Sequence, residues 1–122
     1  MPLPTGTWRA IVNGVETAFS PTTPNSLGQF SGTLFGNTVS GFWDESSQKM
    51  TFTYVAVGGA PETAMFEGYL FRNPPDPGPG QDVVASLAGT FHMTVTSPGN
   101  NLPVATARRN TFAWLAQITE VQ

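Results

Sequence analysis

Few side chains in this sequence of 122 residues could take part in acid–base or nucleophilic catalysis. There is one histidine, His92, and there is no cysteine. Catalysis by histidine requires an orienting carboxylate and a nucleophile beside the ring. His92 lies between Phe91 and Met93 in a segment that alternates apolar and polar residues, which predicts an outward-facing strand position. We therefore predict no catalytic histidine.

Paired carboxylates could support glycoside hydrolysis, but their positions do not favour it. Glu67 falls in the middle of an alternating segment, whereas the other candidates fall in or beside predicted turns. These other candidates are Asp44, Glu45, Glu62, Asp76 and Asp82. We predict that Glu67 is an outer-surface charge or an interface partner, and that the protein is not an enzyme. An apolar pocket that catalyses by shape alone, as in a pericyclic cyclase, is the enzymatic alternative that remains open.

Metal ions and phosphate-bearing cofactors would need residue patterns that this chain lacks. A zinc site takes three or four ligands from His, Cys and carboxylate side chains. The glycines of Gly58-Gly59 and Gly78-Pro79-Gly80 lack the strand–turn–helix context of a phosphate-binding loop. We expect no metal site and no cofactor.

Charge and hydropathy restrict the possible partners. Five Lys and Arg residues against eight Asp and Glu give a net charge of −3, which opposes binding to nucleic acid or to an anionic membrane. No apolar run approaches the ~18 residues of a membrane helix. The N-terminus also lacks the basic-then-apolar form of a signal peptide. We expect no nucleic-acid or membrane partner, and these features favour a cytoplasmic location.

The elements that must position these residues are short strands. Thirteen Gly, eleven Pro and many Thr disfavour helices and suit strands joined by turns. Alternation with a period of two recurs along the chain and is clearest from Lys49 to Val57. The pattern predicts one all-β domain over residues 1–122, with eight strands at about 6–13, 15–20, 27–35, 38–44, 49–57, 63–72, 83–96 and 108–119.

Four strands carry a glycine at mid-strand, on the same face as large apolar residues. A strand glycine marks a bend or the close approach of another backbone. Four such positions on one face would let the sheet curl until it closes, which also removes exposed strand edges. We therefore predict an eight-stranded antiparallel up-and-down β-barrel rather than a sandwich. The predicted inward apolar residues are Trp8, Val12, Phe30, Leu34, Val39, Trp43, Met50, Phe52, Tyr54, Phe66, Leu70, Leu87, Phe91, Met93, Phe112, Trp114 and Ile118.

A barrel of eight strands is either filled by side chains or holds one small ligand. Two proline-rich loops, 20–26 and 73–82, lie at the same end in this topology, and we expect a mouth there. The predicted ligand-binding residues are Trp43 near the rim, Phe66, Phe91 and Trp114 below it, and Tyr54 on the same inner face. The ligand would be a small apolar or amphipathic molecule. A packed interior without a mouth is the alternative.

The predicted outer face is less polar than an isolated barrel requires. Apolar residues alternate there with Thr, Ser and Gln, and few charges lie among them. These residues are Phe35, Phe42, Val55, Val57, Tyr69, Phe71 and Leu115. Because a contiguous apolar patch usually marks a protein contact, we predict a homo-oligomer through the barrel wall. The alternative function is a packed barrel that contacts another protein or a carbohydrate through its wall or loops.

Two short motifs carry a family resemblance. Gly6-Thr7-Trp8, at the start of the first strand, resembles the opening of avidin- and streptavidin-type proteins and of the wider lipocalin-like (calycin) group. Asn110-Thr111, followed by Trp114-Leu115, is similar to a late avidin strand. The resemblance implies a barrel that is often oligomeric and often closed around a small molecule. Ala10 stands where the avidin pattern places a biotin-binding Asn, so biotin binding is not implied.

Two contacts of arginine residues are also expected. Arg9 and Glu16 flank the first predicted hairpin turn, and we predict a cross-strand ion pair between them. The lipocalin-like resemblance implies an arginine of the last strand lying across the first-strand tryptophan. In this chain that contact would join Arg108 or Arg109 to Trp8.

Overall fold

Eight antiparallel strands close into one barrel in the computed structural model, which describes residues 2–56, 62–97 and 106–120. Each strand pairs with the next along the chain, and the first pairs with the last. The strands are β1 (Trp8–Val12), β2 (Val15–Pro21), β3 (Gln29–Leu34), β4 (Asn37–Asp44), β5 (Lys49–Ala56), β6 (Glu62–Asn73), β7 (Val83–Ser97) and β8 (Thr106–Glu120). The predicted all-β fold and its up-and-down topology are confirmed.

The hairpin turns fix the register of the first four strands. Asn13 and Gly14 both have positive φ angles, 47° and 81°, as the predicted Asn-Gly turn of a two-residue hairpin requires. Between β3 and β4 the turn residues are Phe35 and Gly36, with φ angles of 51° and 74°. The predicted turn at Gly36-Asn37 was therefore wrong by one residue. Phe35 lies in a turn rather than on the outer wall.

The β2–β3 connection is held by Asn25, which shortens β3 relative to the prediction. The Asn25 side-chain oxygen accepts hydrogen bonds from the backbone N–H groups of Leu27 and Gln29, at 3.0 and 2.9 Å. Gly28 adopts a positive φ of 81° within this loop. Because Leu27 and Gly28 belong to the loop, β3 begins at Gln29 rather than at residue 27.

The mid-strand glycines lie where neighbouring groups leave no room for a side chain. A Cβ atom on Gly89 would collide with the backbone carbonyl oxygen of Glu67, and one on Gly68 would lie 2.7 Å from Cζ2 of Trp114. Gly68 pairs with Gly89, which in turn pairs with Trp114. The tryptophan indole thus occupies the space that two adjacent glycines leave open, and its N–H donates to the Glu67 carbonyl at 3.0 Å.

One row of inward residues runs across six consecutive strands. In register, the row is Phe30, Gly41, Phe52, Phe66, Phe91 and Phe112. A phenyl ring therefore comes from every strand of β3–β8 except β4, where Gly41 makes close backbone contact with β5. The predicted inward residues are all buried, or are partly buried and packed against this core.

We predict that Gly89→Ala destabilises the barrel, because its Cβ would meet backbone atoms of β6 that cannot move independently of the ladder. The free energy of unfolding should fall by about 1–3 kcal/mol or more, measured by urea denaturation with tryptophan fluorescence. Gly78→Ala is the matched control, since the nearest atom to its Cβ would be Oε1 of Gln81 at 3.8 Å. Equal stability of the two variants would contradict the proposed role of the glycine face.

Candidate functional site

The structure brings four of the five predicted ligand-binding residues together inside the barrel. The rings of Phe66 and Phe91 are stacked, with centroids 4.5 Å apart and planes at 12°. Trp114 meets Phe66 edge-on at 5.6 Å, and Tyr54 does so at 6.4 Å. Phe91, Trp114 and Tyr54 therefore each contact Phe66 in the space in which a ligand was expected.

Further rings extend this stack on both sides. Phe52 stacks on Phe66 at 4.7 Å, Phe19 stacks on Phe52 at 5.2 Å, and Phe112 stacks on Phe91 at 5.2 Å. Phe19 was not among the predicted inward residues. The signal was the first hairpin turn, whose register places Phe19 opposite the buried Trp8. The five stacked rings, with Trp114 against three of them, occupy the centre of the barrel.

Trp43 is the fifth predicted residue and lies apart from the stack, at the end of the barrel where β4 finishes. Its indole N–H donates to Oε2 of Glu45 at 2.8 Å. With residues 2–3 and 23–28, it lines an open groove of about 390 Å³. The pKa of the adjacent Asp44 carboxyl lies below its ordinary value because the hydroxyls of Ser47 and Ser46 donate hydrogen bonds to it. The Asp44 carboxylate at this rim is therefore negatively charged at neutral pH.

The same end of the barrel is covered by Arg72 and the N-terminal segment. The largely buried Arg72 side chain donates to Glu120 Oε1 at 3.1 Å, to the Pro2 carbonyl at 2.7 Å and to Gln48 Oε1 at 3.4 Å. Leu3 is buried beneath this segment as part of the core. These contacts lie over the position at which sequence analysis predicted a mouth.

The arginine contact implied by the lipocalin-like resemblance falls on the side chains of Arg108 and Arg109, which lie outside the described part of the structure. Trp8 precedes Arg9, whose partner on β8 is Gln117. Arg108 and Arg109 lie at least eight residues earlier on β8, which is roughly 26 Å at ~3.3 Å per residue. The Trp8 indole donates to the backbone carbonyl of Pro4 at 3.2 Å.

The predicted ion pair across the first hairpin is confirmed. Arg9 Nε lies 2.8 Å from Glu16 Oε1, and the guanidinium also reaches the second carboxylate oxygen at 3.2 Å. Both side chains are well exposed, so this pair contributes little to stability.

The outer wall of β4–β6 carries large exposed apolar side chains. The exposed fraction is 57% for Phe42, 46% for Met65 and 59% for Phe71, and Tyr69 and Val55 are also exposed. Met65 was not among the predicted outward apolar residues, although its alternation with the inward Phe66 marks it as outward. Of the other predicted outward residues, Leu115 is half-buried and Val57 lies outside the described residues.

A depression of about 510 Å³ indents this wall, and we call it the wall dimple. It is lined by Gln29, Phe30, Ser40, Gly41, Phe42, Thr51, Phe52, Thr53 and Met65. The lining contains aromatic rings, a thioether, hydroxyls and one amide, and it contains no charged side chain. The wall dimple therefore suits an uncharged, apolar or aromatic group.

One ion pair lies next to the wall dimple. Lys49 Nζ is 3.6 Å from Glu67 Oε2, and it also lies 5.7 Å from the centre of the Tyr69 ring. Both charged side chains remain partly exposed. Sequence analysis placed Glu67 on the outer wall as a surface charge or interface partner, and the structure confirms that position.

His92 occupies the outward strand position that its alternation predicts. Its Nδ1 lies 2.8 Å from the hydroxyl oxygen of Thr111 on β8. In residues 2–56, 62–97 and 106–120, no three His, Cys, Asp or Glu side chains form a group that could hold a metal ion. The same ranges contain no helix that could span a bilayer.

Comparisons with protein-family models, with curated proteins and with solved structures found no match to this chain. What the structure shares with the calycin group is the architecture of a closed, eight-stranded antiparallel barrel. The candidate sites therefore rest on their own geometry.

We predict that Phe66→Ala creates an internal site that the wild-type barrel lacks. Removing this ring breaks its stacking on both Phe52 and Phe91, and should lower the free energy of unfolding by about 3–5 kcal/mol. Because an apolar cavity of this kind takes up benzene, benzene should raise the Tm of the variant by more than it raises that of the wild type.

The control for this prediction is Phe42→Ala, which removes an exposed ring and should change the stability by no more than about 0.5 kcal/mol. Stabilisation of the wild-type protein by benzene, equal to that of Phe66→Ala, would contradict the prediction that the substitution creates a new internal site.

Proposed function

We propose that this protein is a non-enzymatic interaction module, a packed barrel that presents its outer wall to a protein partner, foremost to other copies of the same chain. The observation that carries the proposal is the apolar wall of β4–β6, where Phe42, Met65 and Phe71 are about half exposed. Monomeric proteins expose few contiguous apolar patches, and such patches mark interaction sites.

The packed centre of the barrel supports a role for the surface rather than for an enclosed ligand. Phe66 lies in stacked contact with Phe52 and with Phe91, at 4.7 and 4.5 Å between centroids. A molecule entering between these rings would have to break aromatic contacts that contribute about 0.5–1.5 kcal/mol per pair beyond the burial of their area. The wall dimple, in contrast, is open without any rearrangement.

Closure of the barrel also favours recognition of a partner through side chains rather than through backbone hydrogen bonds at a strand edge. Because β1 pairs with β8, each of the eight described strands has a neighbour on both sides along part of its length, which disfavours addition of a partner strand along those paired parts. The wall and the loops are therefore the surfaces on which we place a partner. The uncharged wall dimple and its exposed aromatic rim provide the kind of apolar centre that protein interfaces use.

A small apolar ligand inside the barrel, as in avidin-like or lipocalin-like proteins, is the second candidate function. Its support is that the inward-facing Tyr54, Met93 and Phe112 are only partly buried. These residues lie towards the end of the barrel opposite to Trp43. A ligand of this kind would enter there, and it would contact Tyr54 and Met93 before it reached Phe66 and Phe91.

Native mass spectrometry of the purified full chain tests the proposal. We expect assemblies of more than one chain without a small-molecule adduct, and we expect the double substitution Phe42→Ser with Met65→Ser to shift them towards single chains. The change places hydroxyls where apolar side chains would be buried in the contact.

Val15→Ser is the control, because Val15 is equally exposed but lies on β2, away from this wall. It should leave the assembly unchanged. A single-chain mass with a bound small molecule would contradict the proposed function and favour the second candidate.

A further inference from the structure

We propose that the partner on this wall is a second copy of the chain, related by a two-fold axis, with Phe71 of each copy seated in the wall dimple of the other. In the same arrangement, Lys49 of each copy faces the partner's Glu67. The inference rests on the proposed function and specifies the contact through which it operates.

The strand register places a projecting side chain and a recess on the same face. The wall dimple is centred near Thr51 and Thr53 on β5, which pair with Glu67 and Met65 on β6. Phe71 lies four residues beyond Glu67 on the same side of β6, which is roughly 13 Å at ~3.3 Å per residue. It is also the most exposed aromatic side chain of this wall.

A two-fold axis can place each Phe71 in the wall dimple of the other copy. It does so only if it passes midway between Phe71 and the wall dimple. The midpoint between Phe71 and the wall dimple falls among Lys49, Thr51, Glu67 and Tyr69, since Lys49 pairs with Tyr69 and Thr51 pairs with Glu67. One rotation about this point inserts both Phe71 rings at once. An interface of this self-complementary kind is the commonest among homodimers.

The two charged side chains near this axis, Lys49 and Glu67, have opposite signs, so each can meet its opposite on the other copy. Lys49 and Glu67 lie diagonally on adjacent strands, so the rotation brings each lysine towards the partner's Glu67. Their separation of 3.6 Å within one chain and their partial exposure allow both side chains to turn towards a partner. On the outward positions of β5 and β6 that the structure describes, this pair supplies one positive and one negative charge, and Asp44 on β4, in register with Lys49, adds a negative charge beside them. Each lysine near the axis thus has carboxylates within reach despite a chain charge of −3.

The available area is sufficient for a specific contact. A standard interface buries about 800 Å² on each partner, which is roughly one ninth of the 7398 Å² surface of this chain. The wall of β4–β6 comprises three of the eight strands. The uncharged wall dimple, of about 510 Å³, would receive a neutral phenyl ring with hydroxyls around it.

Charge reversal at the two positions tests this arrangement. In a dimer of the Lys49→Glu variant, two negative charges face each other at both symmetric contacts. In a dimer of the Glu67→Lys variant, two positive charges do so. Sedimentation velocity should show the dissociation constant of each variant raised at least about tenfold. An equimolar mixture of the two variants should recover nearly wild-type affinity, because the mixed pair regains both opposite-charge contacts.

Mixing distinguishes a contact between chains from the ion pair within one chain, since mixing cannot restore the latter. Phe71→Ser should also weaken association at least about tenfold, and its Tm should equal that of the wild type at concentrations at which both are single chains. The matched controls are Arg9→Glu and Glu16→Arg, which reverse the exposed β1–β2 ion pair. They should leave association unchanged, both alone and mixed.

These experiments distinguish failure of the two-fold arrangement from failure of the proposed function. If the wild-type chain associates but mixing gives no recovery, or if Phe71→Ser associates normally, this two-fold arrangement is wrong and the proposed function stands. If the wild-type chain remains a single chain at every concentration, both fail. Association of the purified chain only with a different protein would overturn the two-fold arrangement as well.

Discussion

The structure depends on one row of phenyl rings that runs along the inner face of the barrel, from β3 to β8. Successive rings of the row stack at 4.5–5.2 Å from Phe52 to Phe112, and Phe30 meets Phe52 edge-on across Gly41. A slip of one residue in any strand would turn its ring to the outside. The row therefore specifies the register of most of the barrel, and the mid-strand glycines are the positions at which the backbone makes room for it.

The same row determines which surfaces remain available for function. An eight-stranded barrel can hold a ligand only if its inward side chains are small or spread apart. In this chain, Trp114 lies over Gly68 and against three phenylalanine rings, so the central layer is in contact from wall to wall. Among the described residues, those of the apolar wall and of the rim near Trp43 are open to a partner without rearrangement of this layer.

The sequence contained enough local information to predict the topology, but not the contacts between distant strands. Alternation around Phe66 and the mid-strand glycines indicated both the inward face and the closed barrel. Arg72 was missed because its partner Glu120 is 48 residues away, and no local pattern reports such a pairing. Phe35 was misplaced because a turn of this type tolerates a non-glycine residue with positive φ, which its side-chain chemistry does not reveal.

The core and the wall are linked at Gly41. On the inside, its lack of a side chain lets β4 approach β5 so closely that a Cβ would meet the Phe52 backbone. A strand glycine marks a bend, and Gly41 also lines the wall dimple on the outside. Any larger residue there would disturb the ring row and the recess together. The residue that permits the aromatic core is therefore also the one that shapes the surface on which we place the partner.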